Sequence, residues 1–194
     1  MLFNIRFNYL TSIIKGSDRN SRMKEIFFWD IDKTDFGYFG VIAGEEGIIC
    51  SMLPDKDKKS LIYRIENIVN KKQINVENNK EKCEFYINQL KRYYLKQIRE
   101  IKVPLNFSGY SDFDVAVWKC AMRIPYGQVR SYGWIAEEIG RKGAARAVGN
   151  ALGRNPFAPI VPCHRVVAGD MRIGGFSGGV ELKKSLLELE GIEL

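Results

Sequence analysis

The tetrapeptide Pro162-Cys163-His164-Arg165 places a thiol beside the only histidine of the 194-residue chain. A thiolate, not a thiol, attacks carbon, and a neighbouring base raises the thiolate fraction at neutral pH. The surrounding sequence is rich in glycine and proline, which is unusual for an ordinary core segment. We therefore interpret Cys163 as an activated nucleophile, against the alternative of a buried structural cysteine with a chance neighbour.

The other three cysteines, Cys50, Cys83 and Cys120, are irregularly spaced, and the chain contains no CxxC pair. One histidine cannot complete a usual zinc pattern, so we predict no metal site. A disulfide framework is not expected in a chain of this length, which indicates a reducing compartment. We expect all three of these cysteines to pack in the core.

The overall composition is that of an ordinary globular protein, with 45% hydrophobic and 27% charged residues. No apolar run approaches the roughly 18 residues that span a bilayer, and polar residues interrupt the apolar segment 1–15. We therefore predict neither a membrane span nor a signal peptide. The net charge of +7 permits a polyanionic partner such as DNA, although a solvated basic surface explains it equally well.

Alternating and helical apolar patterns divide the first half of the chain into strands and helices. A short glycine-bounded turn between two β-prone runs predicts a hairpin. The predicted strands cover residues 23–30, 37–43 and 48–53. The predicted helices cover residues 58–69 and 83–101. Pro104 marks a break, so we read residues 102–111 as a linker or crossing segment.

The second half is predicted to be mainly helical, with helices over 113–122, 131–139 and 144–152. Ser131 is a good N-cap for the second helix, and Gly140 ends it. The last two helices form a helix-turn-helix candidate, which by itself is a weak signal of DNA binding. We therefore predict an α/β N-terminal domain (1–105) with a small sheet plus helices. A mainly α C-terminal domain (106–194) with the helix-turn-helix and the active site follows it.

The third of these helices is unusual because most of its residues are small. A helix that reads base edges in the major groove normally carries Asn, Gln or several Arg side chains. Small residues instead permit close approach of the backbone, either to another helix or to a narrow groove. Arg146 is the one long charged side chain among Ala144, Ala145, Ala147, Gly149 and Ala151.

An ordered set of motifs between residues 112 and 191 resembles the O6-alkylguanine-DNA alkyltransferase family. The matching segments are Ile124–Gly127, Ser131-Tyr132, Ala145–Gly149, Asn155-Pro156, Pro162–Val167, Gly174–Gly179, Lys183 and Glu190-Gly191. The first half carries no comparable motif, although its pattern is compatible with the variable N-terminal domain of the family. Phe176 departs from the tyrosine that many members carry, so the aromatic wall is kept without its hydroxyl.

The resemblance implies that Cys163 accepts an alkyl group from guanine O6 by in-line displacement. His164 would deprotonate Cys163 through a water, and Glu190 would orient and stabilise the imidazolium, as in a catalytic triad. Asn155 would hold the turn that carries the cysteine. Tyr132 would donate a proton or a hydrogen bond to the departing guanine and help rotate the nucleotide.

The resemblance also implies how DNA and the flipped base would be held. Arg146 would fill the space that the flipped base leaves in the stack, and the small-residue helix, with Ala145, Ala147 and Gly149, would lie in the minor groove. The carbonyls of Cys163 and Val166 would accept hydrogen bonds from the exocyclic amine of the base. Phe176, Ser177 and the glycine-rich loop before Lys183 would close over the base, and Lys183 itself would be one of the residues that bind it.

The implied partner is double-stranded DNA that contains O6-alkylguanine, with O4-alkylthymine as a second candidate. We expect a monomer in the cytoplasm, or in the nucleus of a eukaryotic source, with no membrane association. No cofactor is expected, and nothing in the chain offers a way to reverse the stable thioether. We therefore predict one transfer per protein molecule.

Three other readings stay open at the level of sequence. A non-enzymatic lesion-binding relative would share the fold, but such relatives typically replace the acceptor cysteine. A cysteine hydrolase would need an oxyanion motif, which is not evident in the sequence. A plain helix-turn-helix regulator would leave the Cys-His pair, Glu190 and the glycine-rich loop unexplained.

Overall fold

A four-stranded mixed sheet occupies the first half of the computed structural model, which describes residues 25–194. The segment 1–15 and the first two residues of the strand predicted at 23–30 lie outside the described residues. The strands are β1 (Ile26–Thr34), β2 (Gly37–Gly44), β3 (Gly47–Asp55) and β4 (Asn75–Asn78), in the order β3-β2-β1-β4. Within this sheet only β4 pairs in parallel, with β1. The strands β2 and β3 pair antiparallel across a short turn, which confirms the predicted hairpin.

Two helices follow β3 and flank β4: α1 (Lys58–Lys72) and α2 (Lys80–Tyr94). Asp57 and Asn79 cap their N-termini by accepting hydrogen bonds from backbone N–H groups of the first turn. The prediction that the second helix continues to residue 101 is wrong. Lys96 adopts a left-handed backbone with φ 58°, and the N–H groups of Lys96 and Gln97 bond back to Tyr93 and Arg92, which ends the helix in a Schellman motif.

Alternate side chains of β2 face two different apolar clusters, as the pleat of a strand requires. Ile42 packs with Leu61 and Ile65 of α1 on one face of the sheet. Phe39 and Val41 belong to the larger cluster on the other face. That cluster also contains buried residues of α2 and of the helices in the second half, so both faces of the sheet are covered.

The edge strand β3 joins the two halves of the chain through its backbone. Ile48 donates to the Pro104 carbonyl at 3.0 Å and accepts from the Asn106 N–H at 2.9 Å. Ser51 donates from its N–H to the Pro156 carbonyl at 2.8 Å and from its hydroxyl to the Ala158 carbonyl at 2.9 Å. These bonds cover an edge that would otherwise be open to pairing with another strand. A division into domains at residue 105 falls in this crossing segment and stays a prediction.

The second half consists mainly of four helices, in agreement with the predicted fold class. They are α3 (Asp112–Met122), α4 (Tyr132–Glu138), α5 (Ala145–Gly153) and α6 (Val180–Leu189). The sequence pattern did not predict α6. Two short strands, β5 (Arg130–Ser131) and β6 (Val166–Val167), pair in parallel between the helices.

A tight turn links α4 to α5. Ser131 caps α4 by accepting from the Trp134 N–H at 3.0 Å, as predicted. Gly140 ends it with φ 69°, a conformation that residues with a Cβ rarely adopt. The two helices pack against each other and against α3.

All four cysteines are buried and unpaired, so the expected packing role of Cys50, Cys83 and Cys120 agrees with their positions. Within residues 25–194, no helix is both long and apolar enough to cross a bilayer.

Phe157 belongs to the core cluster that both halves of the chain share, and we expect its replacement by Ala to be strongly destabilising. The side chain is fully buried, and its ring centroid lies 5.7 Å from that of Trp118 and 5.3 Å from that of Phe107. Removing a buried aromatic ring costs about 3–5 kcal/mol of unfolding free energy, measurable by urea denaturation. Phe85→Ala is the control, because Phe85 is 54% exposed and should lose far less. Equal losses in both variants would contradict the packing described.

Candidate active site

Cys163 opens a short 3-10 turn, Cys163–Arg165, and is itself almost fully buried. Asn155 braces this turn with its side-chain amide, whose Nδ2 donates to the Val161 carbonyl at 2.9 Å and to Cys163 Sγ at 3.1 Å. Its Oδ1 accepts from the Phe157 N–H at 2.9 Å. Asn155 therefore contacts both the sulfur and the backbone that positions it.

Burial raises the pKa of the Cys163 thiol, while the Asn155 amide and the charge of Lys183 act in the opposite direction. Because burial dominates, the resting group is a neutral thiol. It needs a base before it can act as a nucleophile.

The base candidate, His164, is completely buried beside Glu190, with 2.9 Å between Nε2 and Oε1. Hydrogen bonds from His164 and Arg165 outweigh the effect of burial and hold the pKa of Glu190 at about 2. Glu190 is therefore an ionised acceptor, which assigns the imidazole proton to Nε2. Nδ1 is left as an acceptor, and it has no partner among the residues that the structure describes.

The geometry of α6 fixes where the Glu190 carboxylate lies. Glu190 is the C-cap of the helix, and Gly191 follows with φ 79° and donates to the Glu188 carbonyl at 3.0 Å. A negative charge at a helix C-terminus is unfavourable, because the helix dipole is also negative there. Glu190 therefore depends on cations and donors from elsewhere in the fold.

Arg165 supplies that compensation, although the sequence analysis assigned it no role. Its Nε and Nη2 donate to the Glu190 carboxylate at 2.9–3.1 Å, and its Nη1 donates to the Ile124 carbonyl at 2.7 Å. We call His164, Arg165 and Glu190 the buried charge cluster. A buried carboxylate next to an imidazole requires a cation. The position of Arg165 directly after His164 was the sequence feature that could have predicted its role.

Tyr93 of α2 is the second residue that sequence reasoning missed. Its hydroxyl donates to Glu190 Oε1 at 2.6 Å and lies 3.3 Å from His164 Nε2. No sequence signal identified it, because an aromatic residue on the apolar face of a helix is normally core.

Burial lowers the pKa of His164, although Glu190 opposes that effect, so the imidazole is neutral at rest.

Lys183 is a buried cation close to this site. Its ammonium donates to the carbonyls of Val166, at 2.6 Å, and of Ile173. Burial lowers the pKa of Lys183 to about 8. The side chain therefore ties the glycine-rich loop to β6. It contacts backbone carbonyls, and the predicted direct role in binding a base stays a prediction.

A mostly apolar cleft of about 830 Å³ opens in front of the cysteine. Several predicted site residues line it: Tyr132, Ala145, Arg146, Gly149, Cys163, Phe176 and Ser177. His164 and Glu190 lie buried behind the cleft. Val166 is buried as well, and Ala147 is exposed on α5. The Tyr132 hydroxyl lies 3.4 Å from the Gly175 carbonyl, so the tyrosine and the loop close one side of the cleft.

Helix α5 presents a smooth surface beside this cleft. Val148, Ala151 and Leu152 face the core, and Trp118 donates from its indole N–H to the Ala151 carbonyl at 2.9 Å. The Arg146 side chain is exposed and forms no hydrogen bond or ion pair within residues 25–194. Its guanidinium is therefore available to a ligand. Residues 25–194 contain no cluster of three or more potential metal ligands.

Comparison with known proteins identifies relatives over this part of the chain. The model of the family "6-O-methylguanine DNA methyltransferase, DNA binding domain" matches residues 112–192. The methylated-DNA--protein-cysteine methyltransferase of Mycobacterium bovis is 50% identical over 104 residues, which are 54% of this chain and 62% of that protein. The alignment thus spans less than two thirds of that relative.

Solved structures extend the similarity to most of the chain. The crystal structure of Mycobacterium tuberculosis OGT in complex with DNA is 33% identical, with a TM-score of 0.67, and covers 84% of this chain and 92% of that one. The O6-methylguanine-DNA methyltransferase of Pyrococcus kodakaraensis is 27% identical, with a TM-score of 0.67, over 86% and 99%. Because this chain covers 92% of the M. tuberculosis structure at 33% identity, it belongs to the O6-methylguanine-DNA methyltransferase family.

Proposed function

We propose that this protein repairs DNA by transferring the alkyl group of O6-alkylguanine to its own Cys163. The observation that carries the proposal is the convergence of Cys163, Tyr132 and Arg146 on one apolar cleft, with a buried base and carboxylate behind it. A pocket of this kind suits an extruded base, which is read by stacking and by a few polar contacts. The names of the relatives, and the DNA in the M. tuberculosis structure, support the same function.

The first step is loss of the thiol proton. A bridging water carries it from Cys163 to Nδ1 of His164, which is the buried acceptor without a partner in the described chain. The imidazolium that forms is stabilised by Glu190, 2.9 Å from Nε2. Asn155 holds the thiolate through its amide N–H at 3.1 Å. This is the nucleophile, base and orienting-group arrangement of a catalytic triad.

The second step is displacement at the alkyl carbon. Cys163 Sγ forms the new carbon–sulfur bond as the bond from carbon to guanine O6 breaks, and the electron pair leaves with the guanine. The Tyr132 hydroxyl donates a proton or a hydrogen bond to that leaving group, which lowers the charge it must carry. The products are a thioether on Cys163 and a guanine that carries one proton in place of the alkyl group. The thiol proton held by His164 balances the proton that the guanine takes up. Because a thioether is a poor leaving group, the protein acts once.

DNA is held by the exposed face of α5. Its small residues Ala145, Ala147 and Gly149 allow the helix backbone to approach the minor groove closely. Arg146 fills the gap in the stack when the nucleotide rotates out. Flipping costs a few kcal/mol, and less for a poorly paired lesion base, so weak pairing itself favours the damaged site.

The flipped base stacks beside Phe176, with Ser177 and the glycine-rich loop around it. The carbonyls of Cys163 and Val166 accept hydrogen bonds from the exocyclic amine. The Val166 carbonyl already accepts from Lys183 at 2.6 Å, but an amide oxygen has a second lone pair. Lys183 therefore supports the loop from behind. We expect a monomer acting on duplex DNA in the cytoplasm or nucleus.

Cys163→Ala should abolish transfer and leave DNA binding nearly intact. Intact-protein mass after mixing with an oligonucleotide carrying one O6-methylguanine measures the transfer. The wild-type protein should gain one methyl group, mapped to the peptide containing Cys163, and no more. Cys120→Ala is the matched control, because Cys120 is equally buried but lies outside the cleft.

Intact-protein mass, with binding to the same oligonucleotide measured in parallel, separates the alternatives. Tight binding of the lesion with no gain of mass by the wild-type protein would favour a non-repairing lesion sensor. Neither binding nor a gain of mass would remove the DNA assignment.

Arg146→Ala should reduce transfer from duplex DNA more than reaction with the free base, because only the duplex has a stack to fill. Parallel rate measurements on an O6-methylguanine duplex and on free O6-methylguanine test this difference. Lys71→Ala removes the same charge from the exposed surface of α1 and controls for net charge. Equal losses on both substrates would refute the stacking role.

Glu190→Gln should shift the pH profile of Cys163 alkylation to higher pH. Without the carboxylate the imidazolium is less stable, so the thiolate forms only at higher pH. Alkylation by iodoacetamide, followed by peptide mapping, gives the midpoint. An unchanged midpoint would exclude Glu190 from the proton path.

A further inference from the structure

The first half of the chain contributes a side chain to the active site. Helix α2 lies outside residues 112–192, which the family model matches. Its Tyr93 is 1% exposed and reaches the buried charge cluster, with its hydroxyl 2.6 Å from Glu190 Oε1. The same hydroxyl lies 3.3 Å from His164 Nε2.

Tyr93 and His164 share one oxygen of the carboxylate. Oε1 accepts from the Tyr93 hydroxyl, from His164 Nε2 and from Arg165, whereas Oε2 accepts from Arg165 and, at 3.2 Å, from the Gly127 N–H. Each donor to an anion disperses part of its charge and weakens its attraction for the next proton. The tyrosine hydroxyl therefore competes with the imidazole for the charge of Glu190.

We propose that Tyr93 is a positioning residue that fixes Glu190 Oε1 against His164 and limits how strongly the pair attracts a proton. The proposal rests on the proposed function to the extent that His164 acts as the base for Cys163. The first half of the chain then sets the proton affinity of a base that lies in the second half.

The groups around the cluster leave few other sources of such an effect. Titratable and charged side chains face it from α2, from the segment after α3, from the cysteine turn and from α6. They are Tyr93, Tyr126, Cys163 and Lys183, beside Arg165 of the cluster itself. The Tyr126 hydroxyl donates to the Leu189 carbonyl at 2.8 Å and so is engaged elsewhere. The cations Arg165 and Lys183 also disfavour the imidazolium, but neither comes from the first half of the chain.

The neighbouring tyrosine provides a matched control. Tyr94 is also buried on α2, and its ring packs against Phe39 at 5.1 Å between centroids. Its hydroxyl is buried without a hydrogen-bond partner in the described part of the chain. Tyr93→Phe and Tyr94→Phe therefore remove the same atom from the same helix, but only the first removes a contact with Glu190.

The test is the pH dependence of Cys163 alkylation by iodoacetamide in the full-length protein, resolved by peptide mapping. We expect the midpoint of Tyr93→Phe to move to lower pH by about one unit, since a hydrogen bond to a charged group is strong enough for a shift of that size. The imidazolium is better stabilised when Glu190 is no longer shared, so the thiolate forms at lower pH. The midpoint of Tyr94→Phe should equal that of the wild type.

A midpoint for Tyr93→Phe that is unchanged, or that moves to higher pH, would overturn the proposal. Should that variant fail to fold, nitrogen NMR of the wild-type imidazole decides, because His164 is the only histidine and its signals need no assignment. A neutral ring protonated on Nδ1 would refute the arrangement, and one protonated on Nε2 would support it. Alkylation needs no DNA, so failure here is distinguishable from failure of methyl transfer to Cys163.

Discussion

The ionised Glu190 carboxylate, buried at the end of α6, is the constraint on which the candidate active site depends. A charge removed from water is costly unless cations and hydrogen-bond donors replace its solvation. Arg165 and His164 supply most of that replacement, and they follow the nucleophile directly in sequence. The turn that presents Cys163 is therefore held in place by the same contacts that keep Glu190 ionised. Structural stability and the proposed chemistry are thus coupled through one carboxylate.

Residues from distant parts of the chain also contact the buried charge cluster. Tyr93 arrives from α2, and the carbonyl of Ile124 fixes the far side of the Arg165 guanidinium at 2.7 Å. The edge strand β3 bonds to Pro104 and Pro156, so the sheet also supports the segment that leads to Asn155. The sheet-containing half is consequently part of the support of the cysteine turn.

On the cleft side of the cysteine turn, the surrounding residues leave space instead of filling it. The exposed face of α5 carries mostly small side chains. On its other face, Val148 and Leu152 pack in the core. The loop that carries Phe176 is tied down by Lys183 through backbone carbonyls. A buried ammonium bonded to carbonyls restrains the loop without occupying the cleft. Rigid groups behind Cys163 and a smooth surface beside it suit binding of an extruded base.

The sequence by itself determined the hairpin and most helices, because periodicity and local spacing are properties of nearby residues. It also singled out the adjacent Cys163 and His164 as the candidate nucleophile and base. It did not end α2 correctly, since Leu95 and Ile98 continue the helical pattern while Lys96 takes a left-handed backbone that only the fold imposes. Arg165 lies in the cysteine motif, but the sequence indicated no role for it. Tyr93 resembled an ordinary core residue. The roles proposed for them depend on contact with Glu190, which is 97 residues beyond Tyr93. Only tertiary packing decides which buried donors reach a buried charge.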